Sequence, residues 1–328
     1  MGGDHAPAVV VDGVLAAVRH LPIRVQLVGQ RDVVTRELER HADAARLPVV
    51  VVDAPDVIGM AEAPAAALRR KPRASIRVAA DLVASGEAVA LVSAGSTGAT
   101  VMAAFSALGL LPGVDRPALA TAIPTRAGPA VLLDAGANVE CRPQHLLQFA
   151  AMGSVYAQVA LGIERPRVGL LSIGEEETKG TDVIREAHRL LKAGAPAFVG
   201  NVEGRDVYAG LADVIVCDGF TGNVALKISE GLVDAVEHLL GEELQATFSG
   251  RVGYLFSLRA FRRFRKRLDY SEYGGAPLLG VNGLCIVGHG RSSAKAVRNA
   301  VAMAHRFATQ GVVDRLEQGI RSVSVPHP

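Results

Sequence analysis

Ala90-Leu91-Val92-Ser93-Ala94-Gly95-Ser96-Thr97-Gly98-Ala99-Thr100 changes character in its middle. Residues 88–92 form a short apolar run without helical spacing and predict a buried strand. Ser93-Ala94-Gly95-Ser96 has turn composition, and Thr97 to about Leu108 predicts a helix. A turn between a buried strand and a helix leaves backbone N–H groups free at the helix amino end. With the positive end of the helix dipole, those groups form an anion site. Ser93, Ser96 and Thr97 add hydroxyl donors without charge, and Gly95 and Gly98 complete the turn. An ordinary capped helix after a tight turn has the same composition. Repetition of the pattern along the chain weighs between the two readings.

The chain has 328 residues, enough for a sizeable core and for roughly two domains or one large α/β unit. Its 35 glycines and 49% apolar residues, with only 4% aromatics, suit a Val/Ala-rich protein with many strand-to-helix turns. A net charge of +2 argues against wholesale nucleic-acid binding. Cys141, Cys217 and Cys285 are far apart and odd in number, so they form neither a zinc spacing nor a disulfide framework, which suits a reducing, cytoplasmic compartment. No apolar run reaches the length of a membrane span, and no signal peptide is present.

Met1-Gly2-Gly3-Asp4-His5-Ala6-Pro7 reads as loop. Helices are predicted over Ala8–His20, Arg31–Arg46 and Ser75–Ala84, and strands over Ile23–Val28 and Val49–Val52. Residues 54–73 read as loop and broken helix, punctuated by Pro55, Pro64 and Pro72. The Arg69-Arg70-Lys71 cluster there is a solvated surface or an anion contact. Strand-then-turn signals recur at 118–123, 130–133 (ending in Asp134-Ala135-Gly136-Ala137-Asn138) and 168–173 (ending in Gly174-Glu175-Glu176-Glu177-Thr178-Lys179-Gly180). They recur again at 197–199 (ending in Gly200-Asn201-Val202-Glu203-Gly204), at 214–216 (ending in Asp218-Gly219-Phe220-Thr221-Gly222-Asn223) and at 284–287 (ending in Gly288-His289-Gly290). The β-α alternation predicts a three-layer α/β/α protein with a mainly parallel sheet, its site built by loops outside the carboxyl ends of the strands.

Each loop residue has a plain structural role open to it. Asp134 and Asp218 suit helix caps, and Asn138, Asn201 and Asn223 suit turns. Glu175 and its neighbours suit a first helical turn, where the cation of Lys179 is unfavourable. No His/Cys/Asp set has metal-ligand spacing. The Gly-x-Ser-x-Gly elbow, the Gly-x-Gly-x-x-Gly fingerprint and the Walker loop are all absent. No metal and no cofactor is therefore expected.

The loops 2–7, 93–99, 134–138, 174–176, 179–180, 200–204, 218–223 and Tyr273-Gly274-Gly275-Ala276 stand in a family's order. In them the chain resembles the bacterial phosphate acyltransferases of phospholipid synthesis over essentially its whole length. The resemblance implies one domain over residues 1–328, a fold similar to the phosphotransacetylase and isocitrate dehydrogenase group, and a homodimer. It implies acyl transfer from acyl-acyl-carrier protein to inorganic phosphate, the product passing to a membrane glycerol-phosphate acyltransferase. Ser93, Gly95, Ser96, Thr97 and Gly98 then bind phosphate. Lys179, Asn223, Asp218 and His289 are catalytic candidates, with Asp4, His5, Asp134, Asn138, Glu175, Asn201 and Glu203 in surrounding site loops. Family members carry a first strand ahead of Gly2-Gly3-Asp4, so an exposed edge or a gap in the sheet is expected here. The alternatives are an isocitrate dehydrogenase-like oxidoreductase on the same fold and a non-enzymatic membrane-surface scaffold.

Residues 250–270 stand apart. Between Arg251 and Arg267 there are seven basic residues and no acid. Tyr254, Leu258, Phe261 and Phe264 fall on one helical face, with Arg262 among the cations. A basic amphipathic helix of this kind predicts contact with an anionic membrane surface or the acidic carrier protein, and an ordinary surface helix packed on the core has the same pattern. Peripheral membrane association is also what the resemblance implies.

Overall fold

Alternating apolar residues build the strands, and apolar residues three and four apart build the helices between them. In chain order the elements are α1 (Ala8–Val18), β1 (Val25–Gly29), α2 (Arg31–Leu38), β2 (Val49–Asp53), α3 (Pro64–Arg70), α4 (Ser75–Ala84), β3 (Ala90–Ser93), α5 (Thr97–Leu108), β4 (Ala118–Thr125) and β5 (Gly128–Leu133). They continue with α6 (Pro143–Leu161), β6 (Val168–Ser172), α7 (Asp182–Gly194), β7 (Phe198–Glu203), β8 (Val214–Val216), α8 (Gly219–Ala246), α9 (Phe248–Leu268), β9 (Ala276–Leu279), β10 (Leu284–Val287), α10 (Ala294–Thr309) and α11 (Val312–Ser322). The structure is a computed structural model. It describes residues 1–195, 197–268 and 274–322, with the side chains at 251, 255, 262, 265–268 and 322 outside that description.

Eight strands form one sheet in the order β3-β10-β9-β4-β5-β8-β6-β7. Both faces are covered. Val131, Leu133, Val214 and Val216 face the layer of α6, α7, α10 and α11, while Ala130, Leu132 and Ile215 face the other way. Helix α6 lies closest, because Gly153 brings it against Val214. Phe149, Met152 and Tyr156 of α6 are fully buried, and Tyr156 meets Phe307 edge to face at 5.8 Å between ring centroids. Each such side chain contributes roughly 1.5–3 kcal/mol by leaving water.

The expected parallel sheet holds on the two flanks and gives way in the middle. The pairs β3–β10, β5–β8, β8–β6 and β6–β7 are parallel, whereas β10–β9, β9–β4 and β4–β5 are antiparallel. The β4–β5 connection spans only Arg126 and Ala127, too short for a parallel crossover. Three antiparallel steps make β3 and β10 run opposite to β5, β8, β6 and β7. The carboxyl ends expected to share one rim therefore divide between two. Loops 94–96 and 288–290 crown the first rim, and loops 134–138, 173–181 and 217–218 crown the second.

β1 and β2 pair in parallel as a separate two-stranded sheet. A largely apolar groove of about 550 Å³ lies between β1 and β3, under Val14 of α1 and Val297 and Val301 of α10. Met1 sits at its end, against Gly29 and beside Gly95. Helix α2 stops at Leu38, short of the expected Arg46, and the chain turns so that His41 reaches Asp12 at 3.1 Å and Asp43 pairs with Arg19 at 2.8 Å.

The root of α8 lies hard against the loop after β5. A Cβ at Gly222 would stand 1.9 Å from the Asp134 carbonyl oxygen, whereas one at Gly231, in the exposed part of α8, would meet nothing. Gly222→Ala is expected to lower stability by about 1–3 kcal/mol through overpacking. Gly231→Ala is expected to raise it by up to about 1 kcal/mol through helix propensity. Denaturant midpoints of the two variants check this, and equal shifts would mean that α8 does not rest on that carbonyl.

Candidate active site

The first rim is built on the amino end of α5. Ser96 caps the helix, its Oγ accepting the Ala99 N–H at 3.4 Å. Ser93 Oγ shares a 3.0 Å hydrogen bond with Thr100 Oγ1 and accepts the Gly95 N–H at 3.3 Å. These inner hydroxyls hold the turn. Thr97 and Gly98 remain exposed, and their N–H groups find no acceptor among the described residues. The end of this helix is therefore open to an anion.

Two further loops close against it. The Gly288 N–H donates to the Ser93 carbonyl at 2.6 Å, and the Asp4 N–H to the Gly290 carbonyl at 3.0 Å. Gly3 touches the Ala94 carbonyl so closely that a Cβ would stand 2.4 Å from it. His289 projects from this junction, while Asp4 and His5 are exposed beside it. Its Nδ1 accepts the Arg291 N–H at 3.2 Å, and its Nε2 lies 2.8 Å from Lys227 Nζ. Lys227 also bonds Glu230 at 2.8 Å. Burial pushes the His289 pKa below the ordinary 6.5 and the Lys227 cation adds to this, while Glu230 and Asp4 act against it.

Lys227 belongs to α8, which starts at the second rim. Asp218 caps that helix, accepting the Thr221 N–H at 2.8 Å and the Thr221 hydroxyl at 2.7 Å. Nine residues from Gly219 to Lys227 rise about 13 Å, roughly the length of a four-residue strand. The helix thus crosses the sheet face from one rim to the other, with Leu226 packed near Ala135, Leu278 and Val287. Asn223, expected in a loop, is helical and stands one turn before Lys227 on the same face. It lies beside Gly136, at the edge of the 134–138 loop.

Asp134 shapes that loop from within. It is fully buried, and its carboxylate accepts the N–H groups of Leu119, Gly136, Ala137 and Asn138 and the Asn138 Nδ2, at 2.7–3.1 Å. Burial pushes its pKa up, and the N–H donors pull against that. Asn138 also donates to the Pro117 carbonyl at 2.6 Å and accepts the Gly219 N–H on its own carbonyl at 2.7 Å.

At the far end of the second rim, β7 runs on to Glu203, so Asn201 and Glu203 lie in a strand where a loop was expected. The Asn201 Oδ1 accepts from His188 Nδ1 at 2.9 Å, and its Nδ2 donates to the Glu176 carbonyl at 2.9 Å. This ties β7 and α7 to the 173–181 loop. Arg205 pairs with Glu203 at 3.1 Å and Glu175 at 3.8 Å. Lys179 is exposed on the same loop, its stem packed on Gly174. No described contact joins this loop to α5 or to His289.

Beyond Lys227, α8 and α9 form an exposed helical hairpin. Tyr254 and Phe261 pack ring to ring at 5.2 Å, and Leu258 is half-buried. Phe264 is 45% exposed and Phe256, which the helical wheel leaves off the apolar face, is 88% exposed. The Arg262 side chain and Tyr273 lie outside the described residues. Among the described residues no helix is long and apolar enough to cross a membrane, and no group of three His, Cys, Asp or Glu is placed to hold a metal ion.

Lys227 and Glu230 are the residues that the reading of motifs overlooked. Their signal was the spacing 223, 227, 230, which lines one face once Asp218-Gly219 is taken as a helix start. In the folded protein His289 is expected to titrate below 6.5, and Lys227→Met to raise that midpoint. Following the imidazole by NMR checks this, and an unmoved midpoint would separate Lys227 from His289.

Residues 1–315 match a family model described as "Fatty acid synthesis protein". A phosphate acyltransferase from Acidobacterium capsulatum is 51% identical over 326 residues, covering 99% of this chain and 97% of the relative. Another, from Geobacter sulfurreducens, is 49% identical over 318 residues, covering 97% of this chain and 92% of the relative. A phosphotransacetylase from Streptococcus pyogenes shares the fold, with a TM-score of 0.61 at 18% identity over 91% of each chain. A branched-chain phosphotransacylase from Enterococcus faecalis follows at 0.50 and 16%, covering 87% of this chain and 99% of that one. With the family model matching residues 1–315 and phosphate acyltransferases about half identical along nearly the whole chain, the oxidoreductase and scaffold alternatives fall away, and the chain belongs to the phosphate acyltransferase family, enzymes of lipid synthesis.

Proposed function

We propose that the chain transfers a fatty acyl group from acyl-acyl-carrier protein to inorganic phosphate, giving free carrier and an acyl phosphate for phospholipid synthesis. The observation that carries this is the open amino end of α5, with His289 and Lys227 in the loops and helix closed upon it. Neutral N–H donors from Thr97 and Gly98 hold phosphate and leave its oxygen nucleophilic, while Lys227 offsets its charge. The phosphate oxygen attacks the thioester carbonyl, a C–O bond forms, and the C–S bond breaks as the thiolate departs. Asn223, on the Lys227 face of α8, donates to the carbonyl oxygen. Lys179, which the motifs offer for the tetrahedral oxyanion, stands on the second rim without a described contact to this centre, and the variant below decides its part. The proton of hydrogen phosphate passes to the departing thiolate as the C–S bond breaks, and His289 beside Lys227 helps hold the phosphate for that transfer. Positioning and electrostatics carry most of the rate, because a thiolate leaves readily.

Phosphate-dependent release of free thiol from a long-chain acyl-carrier protein tests this reading, and its absence at saturating phosphate would overturn it. Ser96→Ala is expected to raise the phosphate KM by roughly tenfold, the size of one lost hydrogen bond of about 1–2 kcal/mol. Lys179→Met is expected to cut kcat by roughly 100-fold while the fold is retained. Near wild-type turnover would place the 173–181 loop outside the reacting centre.

The same proposal makes the protein a cytoplasmic homodimer that attaches peripherally to membrane and hands its product to a membrane glycerol-phosphate acyltransferase. Ile228, Leu232, Val236 and Leu239 form an exposed apolar stripe along α8 that supports pairing of two copies. On α9, cations near an anionic leaflet contribute about 1 kcal/mol each, and buried aromatics add several more. Replacing Phe261 and Phe264 by Ser is expected to release the protein from anionic vesicles while leaving turnover with soluble carrier within about twofold. Loss of turnover with vesicle binding intact would assign α9 to the carrier or the core.

A further inference from the structure

The rim that holds α5 carries a second cluster of charge that the reaction does not use. Between Glu62 and Asp81 the chain has five cations and no acid: Arg69, Arg70, Lys71, Arg73 and Arg77. Two of them are spent internally. Lys71 bonds both oxygens of Glu62, at 2.6 and 2.8 Å, and the Val57 carbonyl at 2.7 Å. Arg73 pairs with Asp53 at 3.0 Å. Arg69 and Arg70, at the end of α3, and Arg77, in the first turn of α4, are exposed, with no carboxylate in ion-pairing distance among the described residues. Exposed arginines elsewhere are paired, as in Arg19–Asp43, Arg167–Asp213 and Arg189–Glu186, or stand apart singly, as at Arg36, Arg126 and Arg165, whereas three gather here between positions 69 and 77.

These helices flank the phosphate-binding helix end. Helix α5 packs against both α3 and α4, and Gly98 lies against Pro64, the first residue of α3. The outer face of α5 carries Met102 and Phe105, both about two-fifths exposed. Arginine, methionine and aromatic residues around an open site are the composition of a protein-binding surface. Unpaired guanidinium groups select an acidic partner and speed its encounter.

We infer that α3, the start of α4 and the outer face of α5 form the docking surface for the acidic carrier protein that brings the acyl group. This rests on the carrier-linked donor proposed above. The surface abuts the amino end of α5, so a carrier seated on the arginines delivers its thioester to the phosphate held there. Met102 and Phe105 form the apolar centre of the contact, and the arginines form its charged border.

The test compares two acyl donors of the same chain length, one on the carrier protein and one on pantetheine alone. Arg69→Glu/Arg70→Glu/Arg77→Glu is expected to lower kcat/KM for the carrier-linked donor by about 10- to 100-fold at low salt, with the gap to wild type closing as salt rises. The pantetheine donor and the phosphate KM are expected to change by less than about twofold. Phe105→Ser is expected to show the same selectivity with little salt dependence, which keeps the test open if the triple variant folds poorly. Unchanged carrier kinetics in both variants would overturn the docking surface, and so would an equal loss on both donors. Loss of vesicle binding with carrier kinetics intact would make this a membrane surface instead. Wild-type enzyme that turns over pantetheine thioester and ignores the carrier thioester would sink the carrier-linked reading itself, a separate outcome.

Discussion

The carboxylate of Asp134 is the interaction on which the site depends. A buried charge is costly, and the five N–H donors around it offset that cost while fixing residues 134–138 in one shape. That loop is the seat of α8, through the Gly219 N–H on the Asn138 carbonyl and the close approach of Gly222. Helix α8 in turn carries Asn223, Lys227 and Glu230 across the sheet to His289. Asp134, itself fully buried, thus holds in place groups that reach the opposite rim. Removing its carboxylate would strand buried donors as well as release the helix.

Much of this was legible because local physics and the fold agree. The strand-turn-helix reading at 90–108 holds, and α5 runs from Thr97 to Leu108 as its composition predicts. The start of α8 was hidden because Gly219 and Gly222 look like turn residues. Their real cause is tertiary: only glycine fits beneath Asp134 and Asn138. Strand β7 was cut short in the reading for a related reason. Gly200 sits at φ +104°, so the strand carries a residue of turn type in its middle, and Asn201 follows as a strut to His188. The division of the loops between two rims follows from the β4–β5 hairpin, because β9 opposes both β10 and β4 and its two reversals cancel. Its local signal was the short gap between the strands read at 118–123 and 130–133, too short for a parallel crossover.

Charge is distributed with a sense that the near-neutral total conceals. Cations without partners gather on α3 and α4 at the first rim, and a further basic run lies on α9. Glu175, Glu176, Glu177, Glu203 and Asp206 gather around the second rim, where Arg205 and Lys192 meet part of their charge. An anion approaching the molecule is drawn to the side where the amino end of α5 is open and turned away from the other. The helix dipole and the side-chain field therefore act in the same direction at the open amino end of α5.

Helix α8 is also a lever. Its 28 residues span about 42 Å, and only the first third rests on the sheet. The sheet supports the helix as far as Lys227, so the rest of it projects about 28 Å beyond the support. The fulcrum lies where the helix leaves the sheet, beside the contact of Lys227 with His289. Whatever grips the hairpin therefore loads the helix at the point where its lysine meets the imidazole.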